Sequence, residues 1–243
     1  MKMKFYKIAV IISLVAALFA IDSGCSKEAS VSKSNHSVET YTRAQENLSV
    51  EDAKKLLLDG NKRFVSGNVL NDDLSNTKRE ELISKGQHPF ATVISCSDSR
   101  VPPEVIFDQA LGDVFVVRNA GNVVDPLVLG SIEYGAEHLH TPIIVVLGHE
   151  NCGAVKATVD GGEAPGSIGE IVDKINISLE KVKSAGISQD KLCEECENEN
   201  IMNSIKEIRK SSVIGHLEEE KKVVVVGAKY DLNTGEVKFN PIE

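Results

Sequence analysis

Four short runs of apolar residues stand out along the chain, at positions 90–94, 114–117, 143–147 and 223–226. Each run is rich in valine, isoleucine or phenylalanine, and none shows a regular alternation of apolar and polar positions. Runs of this kind are typical of parallel strands that are covered on both faces. Because segments with helical spacing separate them, the pattern predicts an α/β fold with a mostly parallel central sheet and helices on both faces.

The C-terminal region departs from this parallel pattern. The segment AKYDLNTGEVKF places Asn233, Thr234 and Gly235 between two strand-like pieces, which indicates a hairpin. The two strands of a hairpin run antiparallel, so we expect an antiparallel edge strand at the C-terminal end of the sheet. Residues 161–217 have helical spacing and are strongly polar around the segment CEECENEN, which predicts a helical region.

The first 25 residues have the features of an export signal. A basic start precedes an apolar stretch at 8–20, which is short for a bilayer-spanning helix of about 20 residues. Cys25 follows two small residues and resembles the acceptor of a bacterial lipoprotein signal, although Asp22 stands where that pattern has an apolar residue. We expect export to the periplasm or cell envelope and a lipid anchor on Cys25 at the membrane surface; a plainly cleaved signal or a retained anchor is the alternative.

The folded domain is expected to begin near residue 49. Residues 26–48 are polar, rich in serine and glutamate and poor in aliphatic residues, which is typical of a flexible tether. Ser49 then precedes acidic residues and an apolar stripe through Leu57 and Phe64, as at the start of an amphipathic helix. The chain therefore divides into a signal, a tether and one domain over residues 49–243.

The charge balance bears on the class of partner. The chain has 36 acidic and 27 basic side chains, a formal net charge of -9. An acidic surface repels phosphate backbones, and no basic stripe with interleaved aromatic residues is present in the sequence. Nucleic acid is therefore not expected as a partner.

Potential metal ligands follow two of the four apolar runs. Cys96 comes just after the first run, and His149 and Cys152 follow the third. Functional groups in open α/β sheets collect at the carboxyl ends of strands, so these three side chains can meet at one point. Two thiolates and one imidazole suit Zn²⁺ and leave a fourth tetrahedral position for water, as in catalytic rather than structural zinc sites.

Asp98 and Arg100 lie next to the first of these cysteines in the sequence. A carboxylate two residues from Cys96 can bind the metal itself or accept a hydrogen bond from metal-bound hydroxide, but it cannot do both. The planar guanidinium of Arg100 can hold the carboxylate through two hydrogen bonds. We expect this contact to keep Asp98 off the metal.

The segments CSDSR at 96–100 and GHENCG at 148–153 resemble the signature of the β-class carbonic anhydrases. GNKRFVSG, PPEVIFDQALGDVFVVRNAGN and GSIEYGAEHL are also similar to that family, so the resemblance covers the whole predicted domain. It implies one Zn²⁺ per subunit held by Cys96, His149 and Cys152. It also implies a mostly parallel sheet wrapped by helices and a homodimer, or a dimer of dimers.

The resemblance implies an activity, the reversible hydration of CO2 to bicarbonate and a proton. Zinc-bound hydroxide would attack CO2, and the dyad of Asp98 and Arg100 would act as the catalytic gate. Gln109 would supply a hydrogen-bond donor to the substrate across the dimer interface. Tyr134 would line the substrate slot and the amide of Gly153 would lie behind the metal; an ordinary core aromatic is an equal alternative for Tyr134.

Two other functions remain open from the sequence. The same zinc site could hydrolyse carbon disulfide or carbonyl sulfide, which share the linear shape of CO2. Alternatively, Asp98 could occupy the fourth position permanently, giving a closed site in a non-enzymatic zinc-binding lipoprotein. A second cysteine pair, Cys193 and Cys196, could be a metal clip, a redox pair or a disulfide; we favour a non-catalytic pair at the surface.

Overall fold

The computed structural model describes residues 48–240, so the predicted signal with Cys25 and nearly all of the tether lie outside the described residues. A five-stranded sheet with the order β2-β1-β3-β4-β5 forms the centre of the domain. The strands are Ala91–Cys96 (β1), Val114–Asn119 (β2), Ile143–His149 (β3), Val224–Tyr230 (β4) and Val237–Asn240 (β5). β1 to β4 pair in parallel and β5 pairs antiparallel with β4, which confirms the predicted α/β fold and its antiparallel edge strand.

Two helices precede β1, and helices lie in each connection between consecutive parallel strands, which need crossover connections. They are Val50–Ser66 (α1), Asn76–Lys85 (α2), Pro103–Ile106 (α3), Pro126–Glu133 (α4), Gly153–Asp160 (α5), Ile168–Ser184 (α6), Leu192–Arg209 (α7) and Ser212–Glu219 (α8). A 3₁₀ turn at Ala120–Asn122 follows β2, and a π-helical turn at Tyr134–His138 follows α4. Among residues 48–240, no helix combines the length and apolar character needed to cross a membrane.

Apolar clusters cover both faces of the sheet. On one face Val93 of β1 packs in a cluster with Leu57 of α1, and on the other Ile94 packs in a cluster with Ile201 of α7. Successive side chains of a strand point to opposite faces, so a strand between two helix layers must be apolar at every position. This geometry explains why the runs that form β1 and β3 lack alternation.

The edge strand β2 differs from this expectation. Every residue of β1 and β3 is buried, whereas the residues of β2 are only partly buried and Arg118 is exposed. The prediction that β2 is covered on both faces is therefore wrong for the single chain. β2 pairs with β1 alone, and its apolar side chains are left half open to solvent.

The first helix begins as the sequence predicts. The Ser49 side chain accepts a hydrogen bond from the backbone N–H of Asp52 at 3.1 Å, which satisfies one of the free N–H groups of the first turn. The helix ends at Gly67, whose φ of 72° lies in the left-handed region that glycine adopts without a side-chain clash. Between these ends Leu57 is fully buried against the sheet, which fixes α1 on the domain.

Candidate metal centre

The three predicted metal ligands lie at the carboxyl ends of two neighbouring strands. Cys96 is the last residue of β1, His149 is the last residue of β3, and Cys152 immediately precedes α5. β1 and β3 are adjacent and parallel, so their carboxyl ends lie at the same edge of the sheet. The topology therefore brings together residues that are more than 50 positions apart in the sequence.

The ligand atoms of Cys96, His149 and Cys152 all lie within 4.8 Å of one another, and the two Sγ atoms are 4.0 Å apart. Two sulfurs bound to one tetrahedral Zn²⁺ at about 2.3 Å each would be separated by about 3.8 Å, which is close to this distance. Asn151 lies in the turn between His149 and Cys152 and has a φ of 51°, in the left-handed region that asparagine adopts more readily than most residues. The prediction that these three residues share a site agrees with this geometry.

His149 is oriented by a hydrogen bond on its far side. Its Nδ1 lies 2.8 Å from the carbonyl oxygen of Glu150, so Nδ1 carries the proton and donates. The buried Nε2 has no hydrogen-bond partner among residues 48–240. A buried, unpaired imidazole nitrogen beside two thiols is a suitable donor set for Zn²⁺, and the residues present therefore fit the metal.

The two thiols shift each other's pKa in opposite directions. Contact with Cys152, together with the His149 ring and backbone N–H groups, lowers the pKa of Cys96 to about 4 although burial opposes the shift. Contact with Cys96 and burial raise the pKa of Cys152. Burial lowers the pKa of His149, but the neighbouring Cys96 and the Glu150 carbonyl outweigh it and the net shift is upward. The surroundings thus favour the thiolate at Cys96 over the thiolate at Cys152.

Backbone N–H groups also point at the Cys96 sulfur. The N–H groups of Asp98 and Gly121 each lie 3.4 Å from Sγ, within hydrogen-bond distance for sulfur. Gly121 adopts a φ of 75° in the 3₁₀ turn after β2, which favours glycine there. Donors of this kind stabilise a thiolate and reduce its basicity.

Asp98 and Arg100 form the bidentate pair that the sequence predicts. Arg100 donates from Nε to Oδ1 of Asp98 at 2.9 Å and from Nη2 to Oδ2 at 2.7 Å. The Arg100 side chain holds the pKa of the Asp98 carboxyl well below its usual range, although burial acts in the opposite direction. The carboxylate is therefore ionised at neutral pH and is engaged by arginine at both oxygens.

Arg118 is a site residue that the sequence analysis missed. Its Nη2 donates to the carbonyl oxygens of Cys96 at 3.0 Å and Asp98 at 2.7 Å, and its Nε also donates to the Cys96 carbonyl at 3.1 Å. This guanidinium thus fixes the backbone that carries both a metal ligand and the dyad. A charged residue near the end of the apolar run at 114–117 was the available signal.

The three predicted substrate contacts have different environments. Gln109 is buried, and its Nε2 donates to the Phe107 carbonyl at 2.6 Å. Tyr134 is 46% exposed and its ring lies 6.0 Å from that of Phe115, so it is not an enclosed core aromatic. Gly153 is the first residue of α5. The roles in substrate binding stay predictions.

The expectation of a surface location for the second cysteine pair is wrong. Cys196 is fully buried on α7, in the same apolar cluster as Cys96 and Cys152, and Cys193 is partly buried. Although the sequence around the pair is acidic, one side of the helix faces the apolar core. Residues three and four apart share that side, and Cys193 and Cys196 are three apart. All four described cysteines are free thiols.

Comparison with protein-family models identifies the group to which this architecture belongs. The family model described as carbonic anhydrase matches residues 91–237, which is more than half of the chain. A carbonic anhydrase of Mycolicibacterium smegmatis is 42% identical over 192 residues, covering 77% of this chain and 91% of the relative. The chain belongs to the β-carbonic anhydrase family. Carbonic anhydrase 2 of Mycobacterium tuberculosis is 39% identical over 75% of this chain and 89% of its own length.

Solved structures of β-carbonic anhydrases have the same fold. A tetrameric enzyme of Sordaria macrospora superposes with a TM-score of 0.62 at 27% identity, covering 68% of this chain and 86% of that one. An enzyme of Aspergillus fumigatus gives a TM-score of 0.61 at 28% identity, covering 77% of this chain and 90% of the Aspergillus chain. The likeness confirms the predicted α/β fold.

Proposed function

We propose that this protein is a zinc enzyme that catalyses the reversible hydration of CO2 to bicarbonate and a proton. The observation that carries the proposal is the triad of Cys96, His149 and Cys152, buried within 4.8 Å, beside a carboxylate that arginine already holds. Family membership supports the same activity. Three protein ligands are the number that catalytic zinc sites use.

The chain's own residues have separable parts in this reaction. When bound, Zn²⁺ supplies the Lewis acidity that turns water into a nucleophile near neutral pH. The two cysteines and His149 would hold the metal. Arg100 would keep Asp98 out of the ligand set, and the remaining lone pairs of the Asp98 carboxylate would accept a hydrogen bond from the nucleophile and so orient it.

The direct test is stopped-flow CO2 hydration on purified protein of measured zinc content. We expect wild-type activity with one zinc per chain, and a large loss on Arg100→Ala with zinc retained, because the freed Asp98 carboxylate can then bind the metal. Arg79→Ala is the matched control, since Arg79 is an exposed arginine of α2. Wild-type protein that binds zinc but hydrates no CO2 would refute the proposal. Activity on carbonyl sulfide or carbon disulfide in parallel assays would then identify a hydrolase. Inactivity on all three substrates would indicate a closed site.

The proposed active unit is a homodimer or a dimer of dimers. The half-open apolar side chains of β2 and the 83% exposed Leu127 on the adjoining α4 offer a surface that a second copy can cover. The relative from Sordaria macrospora is described as tetrameric. Light scattering after size-exclusion chromatography should give at least a dimer mass for wild type and a smaller species for Leu127→Glu; a wild-type monomer would contradict this.

The proposed location is the cell envelope, with the chain exported and anchored by lipid at Cys25. The support is the sequence of residues 1–25, with its basic start, apolar stretch and small residues before the cysteine. Metabolic labelling with a radioactive fatty acid should mark the wild-type protein and not Cys25→Ser. Unlabelled wild-type protein in the periplasm would show a plainly cleaved signal instead.

A further inference from the structure

Helix α7 presents a buried polar face toward the metal centre. Glu197, Asn200 and Ser204 are 5%, 1% and 2% exposed, in a segment whose composition is that of an acidic surface helix. Buried polar groups are costly unless they form hydrogen bonds, so their partners show what they do. The partners of Glu197 and Asn200 lie in the two segments that support the zinc cysteines.

Glu197 holds the backbone at Cys152. Its Oε1 accepts a hydrogen bond from the Cys152 N–H at 3.1 Å, at the start of α5, where the Cys152 side chain makes no capping bond. Its Oε2 forms an ion pair with Lys229 Nζ at 2.9 Å, and Lys229 also donates to Asn198 Oδ1 at 2.9 Å. The carboxylate is therefore fixed at both oxygens, which is the condition under which a buried charge is tolerated.

Asn200 acts on the other cysteine through one intermediate residue. Its Nδ2 donates to the carbonyl oxygen of Gly121 at 2.7 Å, and the Gly121 N–H lies 3.4 Å from the Cys96 sulfur. Ser204, one helical turn after Asn200, donates from Oγ to the carbonyl oxygen of Asn122, the residue after Gly121, at 2.9 Å. The turn that directs an N–H group at the Cys96 sulfur is thus held from α7.

We propose that Glu197 and Asn200, three residues apart on α7, are positioning residues for the two zinc cysteines. Glu197 sets the backbone of Cys152, and Asn200 sets the turn that donates to Cys96. The proposal rests on the proposed zinc function of those cysteines. Groups that orient metal ligands typically contribute about 10- to 100-fold to metal affinity, so each contact should have a measurable effect.

Two double variants isolate the bond to Cys152. In Glu197→Met with Lys229→Met, the acceptor and the ion pair are both removed, so no lysine is left buried without a partner. In Glu197→Gln with Lys229→Met, the ion pair is removed but an oxygen that can accept the Cys152 N–H remains. Zinc affinity from chelator competition should fall about 10- to 100-fold in the first variant and much less in the second.

A single variant tests the second contact. Asn200→Ala should weaken zinc binding and shift the thiolate-to-metal charge-transfer band of the cobalt-substituted protein, because the Gly121 donor to Cys96 loses its support. Asn203→Ala is the matched control, since Asn203 is on the same helix and is only partly buried. A helix change that is merely structural would alter unfolding but leave this band in place.

The outcomes separate this inference from the proposed function. Wild-type protein without stoichiometric zinc would overturn the zinc site, and with it both proposals. The positioning role alone would be overturned by a different result. In that result the wild type binds zinc, and zinc affinity and the cobalt band are unchanged both in the double variant Glu197→Met with Lys229→Met and in Asn200→Ala. If the double variants fail to fold, the comparison of Asn200→Ala with Asn203→Ala decides.

Discussion

The close contact of β3 with α7 allows a quantitative test of the packing beside the metal centre. Gly148 lies between Leu147 and His149, and a Cβ atom added to it would stand 2.6 Å from both Cγ1 and Cδ1 of Ile201. Ile201 is fully buried, so its side chain has no open space to swing into. The perturbation is Gly148→Ala, which adds one methyl group at this contact.

The expected cost follows from the absence of space. Overpacking of a buried site by a methyl group costs about 1–3 kcal/mol, and Ile201→Ala alone should cost about 2–5 kcal/mol through the cavity it leaves. In the double variant the new methyl enters that cavity. Gly148→Ala should then be neutral or should stabilise the protein by roughly 0.4–1 kcal/mol, because alanine has less conformational freedom than glycine in the unfolded chain. The coupling energy is therefore about 1–4 kcal/mol.

Equilibrium unfolding in urea, at one fixed zinc concentration, measures this coupling. It is applied to the wild type, the two single variants and the double variant. Gly215→Ala on α8 is the control, because a Cβ there meets nothing within 4 Å and a helical alanine should be neutral or stabilising. Free energies of unfolding that add within about 0.5 kcal/mol would refute the argument, since additivity means that the two sites do not touch. A destabilised Gly215→Ala would show that alanine is harmful for another reason.

Three further predictions concern stability and accessibility. Asn61→Ala should lower the free energy of unfolding, measured in urea, by about 1–3 kcal/mol. The Asn61 side chain forms hydrogen bonds with three backbone groups, and its loss leaves them unpaired. Asn68→Ala, at an exposed position, should leave the free energy of unfolding unchanged. Burial raises the pKa of the Cys196 thiol to about 12, so Cys196 should resist alkylation at pH 8 until the protein unfolds, and labelling of the native thiol would contradict this. Since the unfolded thiol ionises from about pH 8.5, stability should fall as the pH rises from there toward 12, and Cys196→Ala should flatten that decline. Chelation of zinc should lower the free energy of unfolding by about 4 kcal/mol when free zinc had been 1,000 times Kd, and the urea midpoint should fall with it. An unchanged midpoint would mean that the folded state does not bind the metal.

Much of the fold could be predicted from the chain alone. The apolar runs locate β1 to β4, and the turn residues before β5 indicate the antiparallel hairpin. The strand order and the exposure of β2 could not be predicted, because periodicity describes how apolar a strand is and contains no information on how many neighbours it has. The single chain leaves β2 with one neighbour, although its sequence is as apolar as that of a central strand.

The sequence by itself determined the candidate metal ligands, because Cys96, His149 and Cys152 have a distinctive chemistry and follow apolar runs whose ends meet in a parallel sheet. It also determined the pairing of Asp98 with Arg100, which depends on neighbouring residues alone. Only the tertiary structure showed that Arg118 donates to the backbone at Cys96 and Asp98, and that α7 forms hydrogen bonds from its buried face to the segments beside Cys152 and Cys96. Such contacts join segments 20 to 82 residues apart and depend on helix rotation and strand order, which local composition does not specify.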